Sequence, residues 1–216
     1  MINIKDLSKK FKNTVVVDSI TVHFARGNIY GIVGRNGSGK TILFKMISGL
    51  LSPSSGEIFV DGRKIGTDED FPKETGIIIE NPAFLPWQNA MDALMDLARL
   101  NHRIGREEVR ESIIKVGLNP DSRKKIGKYS LGMKQRLALA QAIMERPKLL
   151  ILDEPMNGLD RQGVEDIRGL LLELKKEGCT ILIASHNRED IDVLCDQVYE
   201  MDAGKWSLLR GDVGLP

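Results

Sequence analysis

The sequence predicts an α/β protein: a parallel-sheet core opened by a β-rich segment, with a helical lobe inserted midway. Three observations predict it. Ile29-Tyr30-Gly31-Ile32-Val33 is a short apolar run that passes through a glycine-rich turn into the apolar helix start Ile42-Leu43-Phe44-Lys45-Met46-Ile47. Leu149-Leu150-Ile151-Leu152 is a second such run, ending in the acids Asp153-Glu154. Between them, residues 81–144 carry apolar side chains at helical spacing. Continuous apolar runs bounded by turns suit parallel strands covered on both faces.

Taken in order, residues 2–8 alternate in polarity, and residues 15–17 and 20–24 are rich in β-formers, which predicts strands joined by turns. Residues 51–56 read as a loop, and 57–60 as a strand closed by the Asp61-Gly62 turn. Ile77-Ile78-Ile79 reads as a strand buried on both faces. Residues 81–86 form a loop with two prolines. A helix over 90–100 places Met91, Leu94, Met95 and Ala98 on one face, and a helix over 107–116 does the same with Val109, Ile113 and Val116. Residues 119–128 are a polar loop, and 131–144 a further amphipathic helix. The α/β pattern resumes with a strand at 149–153 and a helix at 164–176 stopped by Gly178. A strand at 180–184 and a helix at 188–194 follow, then a hairpin that turns at Asp202-Ala203-Gly204-Lys205. The expectation is one domain over 1–216. Residues 1–80 and 145–216 build the α/β core with its β subdomain, and 81–144 the helical subdomain.

Charge is balanced, with 31 basic against 30 acidic residues, so bulk electrostatics does not point to nucleic acid. Aromatic residues are only 5% of the chain, which argues against a platform for stacking single strands. Cys179 and Cys195 sit in apolar segments and read as buried thiols rather than a disulfide or metal site. The charged N-terminus gives no secretory signal, and no apolar run approaches the ~20 residues of a membrane span. Any link to a membrane is therefore expected to run through a partner.

Gly34-Arg35-Asn36-Gly37-Ser38-Gly39-Lys40-Thr41 fits G-x-x-x-x-G-K-[ST]. A strand, a glycine-rich turn and a helix N-terminus together make a nest of N–H groups for phosphate. Lys40 would neutralise β- and γ-phosphates and the Thr41 hydroxyl would bind Mg²⁺. Ligands in open α/β sheets sit beyond the carboxyl ends of the strands, which sets Asp153 and Glu154 near those phosphates. Asp153 suits a Mg²⁺ ligand, and Glu154 a base that takes a proton from attacking water.

With both motifs placed, the chain resembles the ATPase subunit of ATP-binding cassette (ABC) transporters over nearly its whole length. Tyr129-Ser130-Leu131-Gly132-Met133-Lys134-Gln135-Arg136 is similar to the family signature L-S-G-G-Q and lies upstream of the acid-ending strand, as in the family. Met156-Asn157-Gly158-Leu159-Asp160 resembles the D-loop, and Ser185-His186 the H-loop. The resemblance implies the P-loop NTPase fold of ABC ATPases, with a RecA-like core, an N-terminal antiparallel β subdomain and an inserted helical subdomain. It implies ATP and Mg²⁺ as ligands and a head-to-tail homo- or heterodimer. In that dimer Ser130 and Gly132 of one copy close on the nucleotide held by the P-loop of the other. It further implies that His186 contacts the γ-phosphate and positions water, that Phe11 stacks on adenine, and that Asp160 belongs to the nucleotide site. A core role for Phe11 is the rival reading.

Departures from the family pattern bear on the chemistry. Glu80 stands where a glutamine normally binds Mg²⁺ and water; a carboxylate still ligates Mg²⁺ but changes the charge of the site. Leu131 and Met133 replace two signature residues, Asn157 replaces a serine, and Ile42 removes an α-phosphate contact. The short chain and its variant signature resemble the bacterial branch that exports antibiotics, lantibiotics or drugs through a separate integral membrane subunit. That implies a place on the cytoplasmic face of the cell membrane and no nucleic-acid partner. The alternatives are a soluble non-transport ABC-type ATPase or an importer ATPase. A P-loop GTPase or small-molecule kinase is disfavoured by the lack of an N-K-x-D motif. Phe84, Leu85 and Trp87 read equally as a contact for the membrane subunit or as packing within the lobe. Arg123-Lys124-Lys125 with Lys128 reads as a solvated loop, with headgroup contact as the rival.

Overall fold

In the computed structural model, which describes residues 1–80 and 83–211, two sheets share one molecule. The first is antiparallel and contains β1 (Ile2–Phe11), β2 (Thr14–Phe24), β4 (Ser55–Val60) and β5 (Arg63–Lys64) in the order β2-β1-β4-β5. The second contains β3 (Ile29–Val33), β6 (Thr75–Ile78), β7 (Leu149–Asp153), β8 (Thr180–Ala184), β9 (Gln197–Asp202) and β10 (Lys205–Arg210). Its order is β10-β9-β3-β8-β7-β6, parallel throughout except for β10. Helices α1 (Lys40–Ile47), α5 (Arg161–Lys176) and α6 (Arg188–Leu194) belong to the α/β part. Between β6 and β7 come α2 (Ala90–Asn101), α3 (Arg106–Lys115), a single 3₁₀ turn (Ile126–Lys128) and α4 (Leu131–Ile143).

Strand alternation explains how one sheet carries two cores. Leu150 and Leu152 pack with the lobe helices, α5 and α6, while Leu149 and Ile151 pack with α1 and the antiparallel sheet. Successive side chains of a strand point to opposite faces, so a run of four apolar residues is what two covered faces require. The lobe is tied down closely. A Cβ on Gly76 of β6 would fall 2.0 Å from the Ala142 carbonyl oxygen of α4, so only glycine permits that approach.

Several expectations are corrected. The strand at 77–79 is not buried on both faces: β6 is the sheet edge, and Ile77 is exposed while Gly76 and Ile78 are covered. The two β-rich pieces at 15–17 and 20–24 are one strand that bends through left-handed Ser19 (φ 51°), beside register shifts in its pairing with β1. The polar loop at 119–128 contains the 3₁₀ turn, seated by buried Ile126. The short strand β5 had no legible signal. Asn81 and Pro82, the start of the expected proline loop, lie outside the described residues.

Both cysteines are buried and free, and burial pushes each thiol up to about 12, so neither offers a thiolate at neutral pH. The hairpin β9–β10 turns through Ala203 (φ 47°) and Gly204 (φ 81°), the positive pair a two-residue hairpin favours. No helix among the described residues is long and apolar enough to cross a membrane.

Candidate active site

The carboxyl ends of β3, β7 and β8 bring the predicted residues to one edge. Register aligns Ile32 with Ala184 and Asp153 with Ala184 across the three strands. The residues that follow are Val33 and the glycine turn, Glu154, and Ser185-His186. The Glu154 N–H donates to Ala184 O at 2.9 Å, extending the ladder one step past β7. Glu154 itself takes a left-handed backbone (φ 51°), which a non-glycine residue adopts at a cost of about 1–3 kcal/mol.

The glycine turn is shaped for a ligand. Gly34 lies at φ 150°, and a Cβ there would sit 2.1 Å from Met201 O. Gly39 (φ 109°) opens α1 without a side-chain cap, leaving the first-turn N–H groups of the helix without intrahelical partners. Lys40 Nζ folds back to donate to Gly34 O (2.6 Å) and Arg35 O (3.1 Å). The Ser38 hydroxyl is buried and has no hydrogen-bond partner. An orphan of that kind beside uncapped N–H groups fits an oxyanion as the missing partner.

Thr41 Oγ1 donates to Asp153 Oδ2 at 2.5 Å, so the hydroxyl and the carboxylate already meet. Hard oxygen donors of this type suit Mg²⁺, which takes one or two protein ligands and completes its shell with phosphate and water. Nδ1–H of His186 donates to Glu154 Oε2 at 2.7 Å, which leaves Nε2 for a further partner. Glu80 lies in the same cleft, but its Oε1 is paired with Lys45 Nζ at 2.5 Å.

A cleft of about 700 Å³ is lined by Phe11, residues 36–42, Glu80, Asp153 and Glu154, together with Val16, Gln135 and Asn157. Phe11 is 44% exposed, with Lys9 Nζ 5.2 Å from its ring centre, so it is an available aromatic face rather than a core residue. Gly34, Arg35 and His186 line the neighbouring hollow. Ser130, Gly132 and Asp160 line neither. Ser130 is exposed and caps α4 by accepting from the Met133 N–H at 3.2 Å. Asp160 caps α5 by accepting from the Gly163 N–H at 3.0 Å. Gly132 and Gly158 touch: a Cβ on Gly132 would come within 2.8 Å of Gly158 O, and one on Gly158 within 2.6 Å of Leu131 side-chain atoms. The signature helix thus rests on the loop of its own chain and presents its capped end outward. Phe84 packs against the lobe core, whereas Leu85 and Trp87 are exposed, which divides that group between its two readings.

Two features were missed in the sequence. Buried Gln135 donates to Pro155 O (2.9 Å) and Glu154 O (3.4 Å), pinning the strained turn from α4. Beneath His186, Arg168 of α5 reaches Asp190 of α6 through Nε (3.0 Å) and Nη2 (2.6 Å), both residues being almost wholly buried. Ser185 Oγ donates to the other Asp190 oxygen at 3.2 Å and accepts from the Asn187 N–H at 3.1 Å, fixing the turn on either side of His186. Removing one partner of a buried pair strands the other charge. Arg168→Met is therefore expected to lower stability by about 3–5 kcal/mol and to depress Tm by about 10 °C. Thermal unfolding checks this, and Arg168→Met/Asp190→Leu should recover most of the loss.

Residues 17–157 match the family model described as ABC transporter. The chain is 45% identical over 205 residues to the uncharacterized ABC transporter ATP-binding protein YybJ of Bacillus subtilis (strain 168), covering 95% of this chain and 94% of that one. It is 40% identical over 206 residues to the bacitracin transport ATP-binding protein BcrA of Enterococcus faecalis, covering 94% of this chain and 67% of that one. Among solved structures, the dimeric post-hydrolysis state of the ATP-binding cassette MJ0796 bound to ADP and Pi superposes with a TM-score of 0.86 at 22% identity. It covers 98% of this chain and all of that one, a likeness that concerns the fold.

Proposed function

The chain belongs to the ABC transporter family as an ATP-binding subunit, and from that membership we propose that it hydrolyses ATP to drive export of an antibiotic, peptide or drug through a separate membrane subunit. The observation that carries the reading is the cleft in which the orphaned Ser38 hydroxyl, Lys40, the Thr41–Asp153 pair and Glu154 converge, with His186 bonded to Glu154 from the adjoining hollow. The export reading draws on the bacitracin transport relative.

Triphosphate lies across the glycine turn, with the N–H groups of Gly37 and of residues 39–41 and the Ser38 hydroxyl as donors. Lys40 exchanges the carbonyls of Gly34 and Arg35 for the β- and γ-phosphates. Adenine stacks on Phe11. Thr41 and Asp153 would hold Mg²⁺, which would supply neutralisation of phosphate charge. Glu154 accepts a proton from water as its oxygen bonds to the γ-phosphorus and the bond to the bridging oxygen breaks. His186, oriented by Glu154 through Nδ1, offers Nε2 to the γ-phosphate or the water.

Ser130 and Gly132 act on a second copy, because in their own chain they stand outside the cleft. Two subunits, identical or related, enclose the nucleotides head to tail; the ATP-binding cassette MJ0796, bound to ADP and Pi, is dimeric. The subunit works at the cytoplasmic face of the membrane, docked on that membrane partner. Affinity purification from the native membrane tests the reading. An integral membrane subunit is expected to come with the chain, and the complex is expected to hydrolyse ATP in preference to GTP. Recovery of an active ATPase with no membrane subunit would favour the non-transport alternative.

A further inference from the structure

The Glu80–Lys45 pair gives this cleft a charge arrangement that the phosphate motif alone does not require. Glu80 and Glu154 each stand two residues beyond a paired position, Ile78 with Leu152, at the ends of adjacent strands, and both take left-handed backbones (φ 64° and 51°). With Asp153 they place three carboxylates along a cleft whose lining contains one ammonium, Lys40. A polyphosphate entering such a cleft meets like charge. Lys45 lies four residues past Thr41 on α1, one turn on along the same face, and its Nζ holds Glu80 Oε1 at 2.5 Å.

We propose that Lys45 is a positioning residue that holds the Glu80 carboxylate aside and neutralised, so that of the three carboxylates lining the cleft only Asp153 and Glu154 are presented to the nucleotide without a cationic partner of the lysine kind. The inference rests on the nucleotide reading of the cleft and adds to it a residue outside the phosphate motif. It accounts for how this chain accommodates a carboxylate where its family resemblance leads one to expect a neutral amide. It also assigns a consequence to the pair's position. Without Lys45, Glu80 is free to turn toward the Thr41–Asp153 end. There its charge opposes metal-free nucleotide, and its oxygens become available to a divalent cation.

The Lys45 and Glu80 side chains are 28% and 65% exposed, so substitutions there alter charge without opening the core. The test is binding of a fluorescent ATP analogue in EDTA and in saturating Mg²⁺ to the wild type, Lys45→Met, Glu80→Gln and the double variant. Lys45→Met is expected to bind about fivefold more weakly than wild type in EDTA, the order expected of one solvent-exposed charge a few Å from a polyanion. The deficit should shrink in Mg²⁺. Glu80→Gln should bind at least as well as wild type, and the double variant should return to within about twofold of Glu80→Gln. Equal binding by wild type and Lys45→Met in EDTA overturns the proposal. So does a deficit that persists in full in the double variant, since Lys45 would then act on phosphate or on α1 directly. Failure of the wild type to bind the analogue in either condition would instead overturn the nucleotide reading.

Discussion

Glu154→Gln is expected to hold ATP with near wild-type affinity while its turnover falls about 10²–10⁴-fold, the range a positioned general base contributes. The geometry separates the two properties. In the proposed mode the glycine turn, Lys40 and the start of α1 grip phosphate, while the Glu154 carboxylate is engaged elsewhere. The carboxylate instead contacts His186 Nδ1, and an amide oxygen preserves that hydrogen bond while abolishing the basicity. If hydrolysis reopens the site that two copies enclose, as the proposed function requires, the variant should also accumulate as an ATP-bound dimer, read by light scattering with and without ATP. Single-turnover measurements locate the defect in the chemical step. Wild-type turnover in Glu154→Gln would remove Glu154 from the role of base. His186→Ala should share the defect in kcat while sparing nucleotide affinity, since His186 and Glu154 act as a pair.

Lys40→Ala is expected to fail one stage earlier, at binding. Charge-assisted hydrogen bonds contribute about 1.5–3 kcal/mol each, so loss of the ammonium should weaken ATP binding about 10- to 100-fold. The same ammonium bridges Gly34 O and Arg35 O across the turn, so the empty loop loses a brace as well. Isothermal titration gives the affinity, and thermal unfolding shows how much of the effect is loss of that brace. A variant that binds ATP as well as wild type would show that the turn and helix N-terminus suffice without the lysine.

These expectations were available from the sequence to unequal degrees. The glycine turn and the acid pair announce themselves because their geometry is local. A strand, a positive-φ turn and a helix start are contiguous, and Asp153-Glu154 sits where a buried strand must end. The edge position of β6 was not legible. Ile77-Ile78-Ile79 is as apolar as a central strand, and only the strand order reveals that Ile77 has no neighbour on one side. The Arg168–Asp190 pair left a signal that went unread. Arg168 falls on the α5 face shared by Val164, Ile167 and Leu171, and Asp190 lies beside Ile191 and Leu194 on the buried side of α6. Opposite charges on two buried helix faces imply a pair. Glu80–Lys45 joins residues 35 apart in sequence and needs the fold to bring β6 beside α1. The outward-facing Ser130 cap is the reverse case: the motif names it and the resemblance implies that it serves a second copy, and in the fold it stands outside the lining of its own cleft.

That separation is what a composite site requires, and it can be tested without a membrane subunit. Lys40→Ala and Ser130→Glu variants, each inactive alone, are mixed at equal concentration and assayed for ATP hydrolysis. In a mixed dimer one cleft carries both defects, while the other combines an intact glycine turn with an intact serine-capped helix from the opposite copy. Turnover should therefore return to about a quarter of the wild-type rate if copies pair at random and the clefts fire independently. Absence of any turnover across all mixing ratios, with mixed dimers shown to form, would contradict the sharing of each nucleotide between two copies.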